Sequence, residues 1–201
     1  MIRILIAEDQ AMVRGALASL LALEPDLEVV AEVARGDEVL DAARLSTPEV
    51  ALLDIEMPGA GGLDVCAQLS DSFPGLRVLI LTTFGRPGYL SRAMQNGAAG
   101  FMLKDAPASE LADAIRRAAA GEQIVDPGLA AAALRQGPNP LTAREREVLA
   151  AARRSGTIAT LAASLHLSHG TTRNHLSSIM RKLHAPTRAE AIRMAEEHGW
   201  L

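Results

Sequence analysis

Short apolar runs and helical patterns alternate along the first 120 residues of this 201-residue chain. Apolar runs of strand length predict five β-strands, at residues 2–7, 27–33, 50–54, 76–84 and 98–104. Apolar positions at helical spacing follow each strand, at residues 12–23, 36–45, 61–70, 86–96 and 108–121. Strands that alternate with helices in this way predict an α/β domain with a doubly wound, five-stranded parallel sheet.

The strand predicted at residues 50–54 ends on a charged residue, Asp54. Pro48 and Pro58 bound this short run, which is typical of a strand buried on both faces of a parallel sheet. Open α/β sheets gather their functional groups at the carboxyl ends of their strands. The polar side chains at such ends in this chain are Glu8, Asp9, Asp54, Thr82, Thr83 and Lys104.

These residue types favour phosphoryl chemistry. Three carboxylates in one cleft repel one another, and Mg²⁺ relieves the repulsion because it binds carboxylate, carbonyl and water oxygens. Asp54 can then act as a nucleophile that forms an acyl phosphate, with Lys104 neutralising the incoming group. Thr82 adds a hydroxyl that can bond a phosphoryl oxygen. Each residue alone also fits a solvated strand end or a helix cap, so the prediction rests on their combination.

Other chemistries lack their residues in this part of the chain. All five histidines lie after residue 139, which argues against Ser-His or Cys-His catalysis near the predicted sheet. No Gly-rich phosphate loop follows the first strand, which argues against dinucleotide or NTP binding. The lone cysteine, Cys66, cannot form an internal disulfide, and no apolar run reaches the length of a membrane span. We therefore predict a cytoplasmic protein without a membrane partner.

Charge divides the chain into two parts. Residues 1–139 hold 11 Lys and Arg against 19 Asp and Glu, whereas residues 140–201 hold 9 against 5. The net charges are thus −8 and +4, and a basic part of this kind favours nucleic acid as a partner. A Gly- and Pro-rich stretch at 137–140 marks a linker. The predicted regions are a phosphoacceptor domain at 1–120, a linker with a short helix at 121–140, and a DNA-binding domain at 141–201.

The basic part is helical in pattern. Thr142, followed three residues later by Glu145, predicts a capping box at a helix start. Two later helices joined by a very short turn suit a helix-turn-helix, and a final helix follows. The predicted ranges of these later helices are 157–165, 170–183 and 187–197.

The helix at 170–183, with Ser168 as its N-cap, has a polar surface suited to DNA. It contains no Asp or Glu, so it would not repel phosphates. Arg and Asn side chains make bidentate contacts with guanine and adenine edges in the major groove. The residues predicted to contact DNA are Ser168, Thr171, Arg173, Asn174, Ser177, Arg181 and Lys182. A helical bundle with a solvated polar face is the alternative.

Four motifs of the acidic part, IAEDQ, LLDIEMPG, ILTTF and GFMLKDA, resemble the receiver domain of bacterial two-component response regulators. The resemblance covers about the first 120 residues and implies a flavodoxin-like fold. It implies that Asp54 is the phosphoacceptor for a sensor histidine kinase. It also implies that Mg²⁺ is held by Glu8, Asp9, Asp54 and the backbone carbonyl of Glu56.

The same resemblance assigns two further roles. Thr82 and Phe101 match a switch pair that rearranges when the phosphoryl group arrives, and Lys104 matches the phosphate-binding lysine. An ordinary core aromatic is the alternative for Phe101, and its position three residues before Lys104 favours the switch.

The basic part resembles the LuxR/NarL-type DNA-binding domain. The resemblance lies in the start LTARE, the run S-x-x-T-x-R-x-H from Ser168, the following I-x-x-K-L, and R-x-E-A at 188–191. It implies that bases are contacted by Arg173, Asn174 and Ser177, and phosphates by Thr171, Arg181 and Lys182. Two positions depart from the family pattern. Ala159–Ala162 replaces a Lys/Glu-Ile-Ala motif, and Thr172 replaces a branched aliphatic residue.

We therefore predict a transcriptional response regulator and not an enzyme. Phosphorylation of Asp54 is expected to change a homodimer surface, after which two DNA-binding domains occupy paired half-sites in promoter DNA. One alternative is a haloacid-dehalogenase-like phosphatase with Asp54 as nucleophile, although Glu56 stands where that family has a second Asp. Another is a constitutive DNA binder with a silent receiver. The runs IAEDQ, TTFGRPGY and the terminal GW are similar to a subgroup that includes a thermosensing, desaturase-controlling regulator.

Overall fold

The computed structural model describes residues 1–83 and 85–201, which form two compact units. One unit comprises Met1–Gly85 with Leu90–Ala132, and the other comprises Arg86–Tyr89 with Ala133–Leu201. No helix among these described residues combines the length and the apolarity that crossing a membrane requires.

The first unit is built on a parallel sheet in the order β2-β1-β3-β4-β5-β6. Its strands are β1 (Ile2–Ala7), β2 (Leu27–Val33), β3 (Val50–Asp54), β4 (Arg77–Thr82), β5 (Gly100–Leu103) and β6 (Ile124–Val125). The doubly wound parallel sheet is confirmed. The order reverses between β1 and β3, which places a crevice at the carboxyl ends of these two strands. All five residues of β3 are buried, as its apolar run predicts.

The strand count and some bounds differ from the prediction. The sheet has a sixth strand, β6, which lies within the predicted linker and pairs with β5. The strand predicted at 76–84 ends at Thr82, and the last residue of that prediction, Phe84, lies outside the described residues. The strand predicted at 98–104 begins only at Gly100, because Ala98 still donates its amide to Ala93 in the turn after the preceding helix.

The helices before residue 137 are α1 (Ala11–Leu21), α2 (Val39–Ser46), α3 (Gly62–Ser72), α4 (Pro87–Gln95), α5 (Ala108–Ala119) and α6 (Pro127–Gln136). The helix predicted at 36–45 begins as a 3₁₀ turn at Gly36–Glu38. A Cβ on Gly36 would lie 1.9 Å from the carbonyl oxygen of Ala60, so only glycine allows this close approach. The apolar stripe of the first predicted helix is only partly buried. Met12 is 86% exposed and Leu20 is 44% exposed, whereas Leu21 packs in the core.

The second unit contains four further helices, α7 (Ala143–Ala152), α8 (Ile158–Ser164), α9 (His169–Lys182) and α10 (Arg188–Glu197). The capping box of Thr142 and Glu145 is confirmed, and Ser168 accepts the amide of Thr171 as the N-cap of α9. The turn between α8 and α9 is short because His166 takes a left-handed conformation, with φ of 53°. The core of this unit includes Leu149, Leu161 and Ile179.

Candidate functional site

The sheet brings acidic and basic side chains together at its carboxyl edge. Glu8 follows β1, Asp54 ends β3, and Lys104 follows β5. The Nζ atom of Lys104 lies 2.6 Å from Oε2 of Glu8 and 3.0 Å from Oδ1 of Asp54. Carboxylate oxygens of Glu8, Asp9 and Asp54 all lie within 4.8 Å of one another. The carboxyl ends of β1, β3 and β5 therefore meet in one cluster.

Two glycines allow the chain to fold tightly around Asp54. A Cβ on Gly62, the first residue of α3, would lie 1.9 Å from the carbonyl oxygen of Asp54. Glycine at this position therefore lets α3 begin directly beside the end of β3. Gly59 in the preceding loop has a φ of 82°, which favours glycine. Asp54 also accepts the backbone amide of Ile55 at 2.8 Å, which orients its carboxylate.

Burial sets the electrostatics of this cluster. Glu8 is 1% exposed and Asp54 is 7% exposed, whereas Asp9 faces solvent. Burial raises the pKa of Asp54 above its ordinary value, and the hydrogen bond from Lys104 opposes that shift. Burial would lower the pKa of Lys104, but its hydrogen bonds with Glu8 and Asp54 outweigh burial and raise it. Lys104 is thus held as a cation between two carboxylates.

The remaining predicted residues of this part lie at or near the same edge. Thr82 is buried at the end of β4, and its carbonyl oxygen accepts the amide of Lys104 at 2.8 Å. Phe101 is fully buried in β5, where it is in register with Ile80 of β4. Glu56 lies in the loop after Asp54 with an exposed side chain, as does Thr83 after β4.

Helix α9 exposes most of the residues predicted to contact DNA. Arg173, Asn174 and Ser177 are exposed, and so are Thr171 and Arg181. Opposite them, Thr172, Leu176 and Ile179 are buried against α7 and α8. The departure at Thr172 is accommodated because its hydroxyl donates to the carbonyl oxygen of Ser168 at 3.0 Å.

Lys182 differs from the other predicted DNA contacts, because it already has a partner within the domain. Its Nζ atom lies 2.6 Å from Oε2 of Glu145, which is 5% exposed. Glu145 also accepts the hydroxyl of Ser178 at 2.8 Å and the amide of Thr142 at 2.8 Å. Burial would raise the pKa of Glu145, but these hydrogen bonds lower it from 4.5 to about 2. Glu145 therefore fixes α9 to α7.

Only one of the two roles of Glu145 could be predicted from the sequence. Its spacing from Thr142 identified the capping box, but the contact with Lys182 joins two helices that lie far apart in sequence. The second family departure, in α8, has a local explanation. Within the run Ala159–Ala162, Thr160 completes a capping box with Thr157. This box satisfies backbone amides at the start of α8 without a charge.

Comparison with known proteins assigns a family to each of the two parts of the chain. A family described as the response regulator receiver domain matches residues 4–116, and one described as bacterial regulatory proteins, luxR family, matches residues 139–195. Two relatives from Bacillus subtilis (strain 168) are similar over the whole chain. The uncharacterized transcriptional regulatory protein YvfU is 46% identical, covering 100% of both chains, and the transcriptional regulatory protein DesR is 45% identical, covering 100% of this chain and 99% of its own.

A solved structure of similar length supports the same assignment. The response regulator ChrA, from a heme-sensing two-component system, has a TM-score of 0.59 and 33% identity, covering 100% of this chain and 98% of its own. The sheet order, the acidic cluster with its lysine, and the helix-turn-helix agree with these matches. The chain therefore belongs to the response regulators of two-component systems, as a DNA-binding transcription regulator with a receiver domain and a luxR-family domain.

Proposed function

We propose that Asp54 accepts a phosphoryl group from a sensor histidine kinase and that this event controls promoter binding. The observation that supports this most directly is the position of Asp54. Its carboxylate ends a buried strand, with Nζ of Lys104 at 3.0 Å and two further acidic residues close by. In the transfer, a carboxylate oxygen of Asp54 forms a bond to phosphorus while the bond from phosphorus to the histidine nitrogen breaks.

Two residues of the chain, Lys104 and Thr82, can stabilise the charge of the transferred group. Lys104 is cationic and lies beside the nucleophile, so it can bind an oxygen of the transferred group. Thr82, buried at the end of β4, offers a hydroxyl to a second oxygen. We expect Thr82 and Phe101 to rearrange together on phosphorylation, because β4 and β5 are paired and Lys104 joins them through its backbone.

We propose Mg²⁺ as the cofactor of this site. The carboxylate oxygens of Glu8, Asp9 and Asp54 lie close enough together to hold one ion. The resemblance to receiver domains adds the backbone carbonyl of Glu56 as an expected further ligand. Such a set suits a hard cation, and it contains no thiolate or imidazole that would favour zinc. When bound, Mg²⁺ would neutralise negative charge on the phosphoryl oxygens.

We propose that α9 enters the major groove of promoter DNA. Arg173, Asn174 and Ser177 are placed to read bases, and exposed Thr171 and Arg181 to contact phosphates. Ser168 lies at the N-terminus of the same helix, where the backbone amides of the first helical turn favour the binding of a phosphate. Lys182 also belongs to this set from sequence, but its pairing with Glu145 supports a role in positioning α9.

We also propose a homodimer that forms on phosphorylation. In α5 the apolar residues Leu111 and Ile115 are buried, whereas α1 exposes Met12 and Leu20. The first helix is thus the better candidate for pairing. Light scattering with and without a phosphodonor tests this proposal. A mass that stays monomeric at micromolar concentration in both conditions would contradict it.

We propose domain bounds at 1–120 and 141–201, with residues 121–140 as the linker. The family matches at 4–116 and 139–195 support these bounds. Because its DNA partner is a promoter, we propose that the protein acts in the cytoplasm.

Intact mass after incubation with acetyl phosphate and Mg²⁺ tests the phosphoacceptor. We expect an adduct on the wild-type protein that is absent from Asp54→Asn and fails to form with EDTA. If the folded wild-type protein forms no adduct, the proposal that Asp54 is a phosphoacceptor is wrong. A constitutive DNA binder then becomes the better-supported function. Turnover of p-nitrophenyl phosphate that is lost in Asp54→Asn would instead support a phosphatase.

A further inference from the structure

The start of the linker is a strand of the receiver sheet. Ile124 donates its amide to the carbonyl oxygen of Ala99 at 2.9 Å, and β6 pairs in parallel with β5. In this register Ile124 lies opposite Gly100, and Val125 lies opposite Phe101. The side chain of Ile124 is buried in the receiver core. The linker therefore contacts the backbone of the residue that is predicted to switch.

Gly100 makes this close pairing possible. A Cβ at Gly100 would lie 2.7 Å from the carbonyl oxygen of Ile124 and 2.6 Å from a methyl of Leu79. Any larger residue would push β6 away from β5 or disturb the core below it. Only the backbone of glycine fits between these two neighbours.

The same segment also packs against Gly85, which follows β4. Asp126 accepts the amide of Leu129 on its side chain at 2.8 Å and so fixes the first turn of α6. The end of Leu129 then fills the space beside Gly85, where a Cβ would lie 2.4 Å from Cδ2 of Leu129. Leu103 of β5 borders the same space, with its Cδ2 3.2 Å from that Cβ position. Residues 124–129 are called the docked linker segment below.

We propose that the docked linker segment senses the state of the receiver, remaining docked without phosphate and releasing when Asp54 is phosphorylated. This inference rests on the proposed function. The sheet order places Asp54 of β3 on one side of β4, and β5 and β6 on the other. If Thr82 moves toward a phosphoryl group on Asp54, the loop that contains Gly85 moves away from Leu129. Leu129 then loses its packing partner, and the segment is held less tightly.

By thermodynamic linkage, the coupling between phosphorylation and docking is reciprocal. If phosphorylation opposes docking, docking must oppose phosphorylation to the same extent in free energy. Loosening the segment should therefore raise the affinity of the receiver for beryllofluoride, a phosphoryl mimic. Coupling between sites in proteins begins at about fivefold, so we expect an increase of about fivefold.

Two substitutions weaken the contact between Gly85 and Leu129, one at each of these residues. Leu129→Ala removes the side chain that fills the space, and Gly85→Ala places a methyl in that space and displaces the flexible end of Leu129. Leu134→Ala is the matched control, because Leu134 lies in the same helix but is 84% exposed. Far-UV circular dichroism of the full chain verifies the fold of each variant.

Hydrogen exchange of the Ile124 amide in the full chain measures docking. We expect exchange to be faster in wild-type protein with Mg²⁺ and beryllofluoride than without. Without ligand, we expect it to be at least about fivefold faster in Leu129→Ala and Gly85→Ala, and unchanged in Leu134→Ala. Equal exchange rates in all variants would overturn the docking itself.

Calorimetric titration with beryllofluoride and Mg²⁺ measures the coupling. Affinity that rises in the two loosened variants and stays constant in Leu134→Ala supports the proposal. Wild-type protein that binds beryllofluoride at Asp54, with equal affinity in every variant, would overturn the coupling and leave the proposed function standing. Wild-type protein that neither binds beryllofluoride nor forms the acetyl phosphate adduct would refute both.

Discussion

The buried carboxylate of Glu145 supports a quantitative prediction about the DNA-binding domain. The pKa of Glu145 is lowered from 4.5 to about 2 in the folded state. One pKa unit corresponds to about 1.4 kcal/mol, so ionised Glu145 contributes about 3 kcal/mol to folding at neutral pH. Because its folded pKa is depressed, this contribution is present above about pH 4.5 and is lost as the pH falls toward 2.

Glu145→Gln mimics the protonated side chain and should remove this contribution. We expect the variant to lose about 3 kcal/mol of unfolding free energy at pH 7 and about 1 kcal/mol at pH 3, because more than half of the wild-type contribution is already lost at pH 3. Urea unfolding followed by fluorescence of Trp200 is the assay. Trp200 is the single tryptophan in the chain and packs against the same core as α7 and α9.

Glu147→Gln is the matched control. Glu147 lies on the same helix, but its carboxylate is half-exposed and pairs with Arg144 at the surface. Surface pairs contribute little, so we expect a loss below about 0.5 kcal/mol at every pH. A Glu145→Gln loss that is the same at pH 7 and pH 3, or no larger than that of Glu147→Gln, would refute the argument.

Substitution of Lys182 distinguishes a role in positioning α9 from direct contact with a DNA phosphate. If Lys182 holds α9 through Glu145, Lys182→Met should lower the unfolding free energy, and its effect should not add to that of Glu145→Gln. If it mainly contacts a phosphate, stability should hardly change. The slope of log affinity against log salt for DNA binding should then fall by about 0.9.

Three other predictions follow from the geometry. Lys104→Met leaves the phosphoacceptor without its cation, so the rate of adduct formation from acetyl phosphate should fall by about a hundredfold, and an unchanged rate would contradict its role. Arg173→Ala should weaken binding to DNA selected by the wild-type protein by about 1–3 kcal/mol and relax preference at one base pair, as measured by fluorescence anisotropy. Gly62→Ala places a methyl against the carbonyl of Asp54 and should destabilise the receiver by about 1–3 kcal/mol in thermal unfolding. Gly15→Ala, with open space at its Cβ, should be neutral or stabilising, and equal effects of the two changes would refute the steric argument.

The sequence alone determined the features that depend on local pattern. The run Val50–Leu53 contains no polar residue, as is typical of a strand buried on both faces, and this feature predicted a strand within a parallel sheet that ends at Asp54. Topology then placed Glu8, Asp54 and Lys104 at one edge, since parallel strands share their carboxyl ends. The N-caps of α7 and α9 were also predictable, because a cap involves residues only three apart.

Only the tertiary structure decided the features that depend on distant partners. Strand β6 has two residues and no periodicity of its own, and it exists because Gly100 lets it approach β5. The exposure of Met12 could not be predicted from helical spacing. Spacing defines an apolar stripe on the helix, but it does not say how much of that stripe the rest of the domain covers. The pairing of Lys182 with Glu145 joins residues 37 positions apart, and a contact of that kind becomes visible only when the helices have packed.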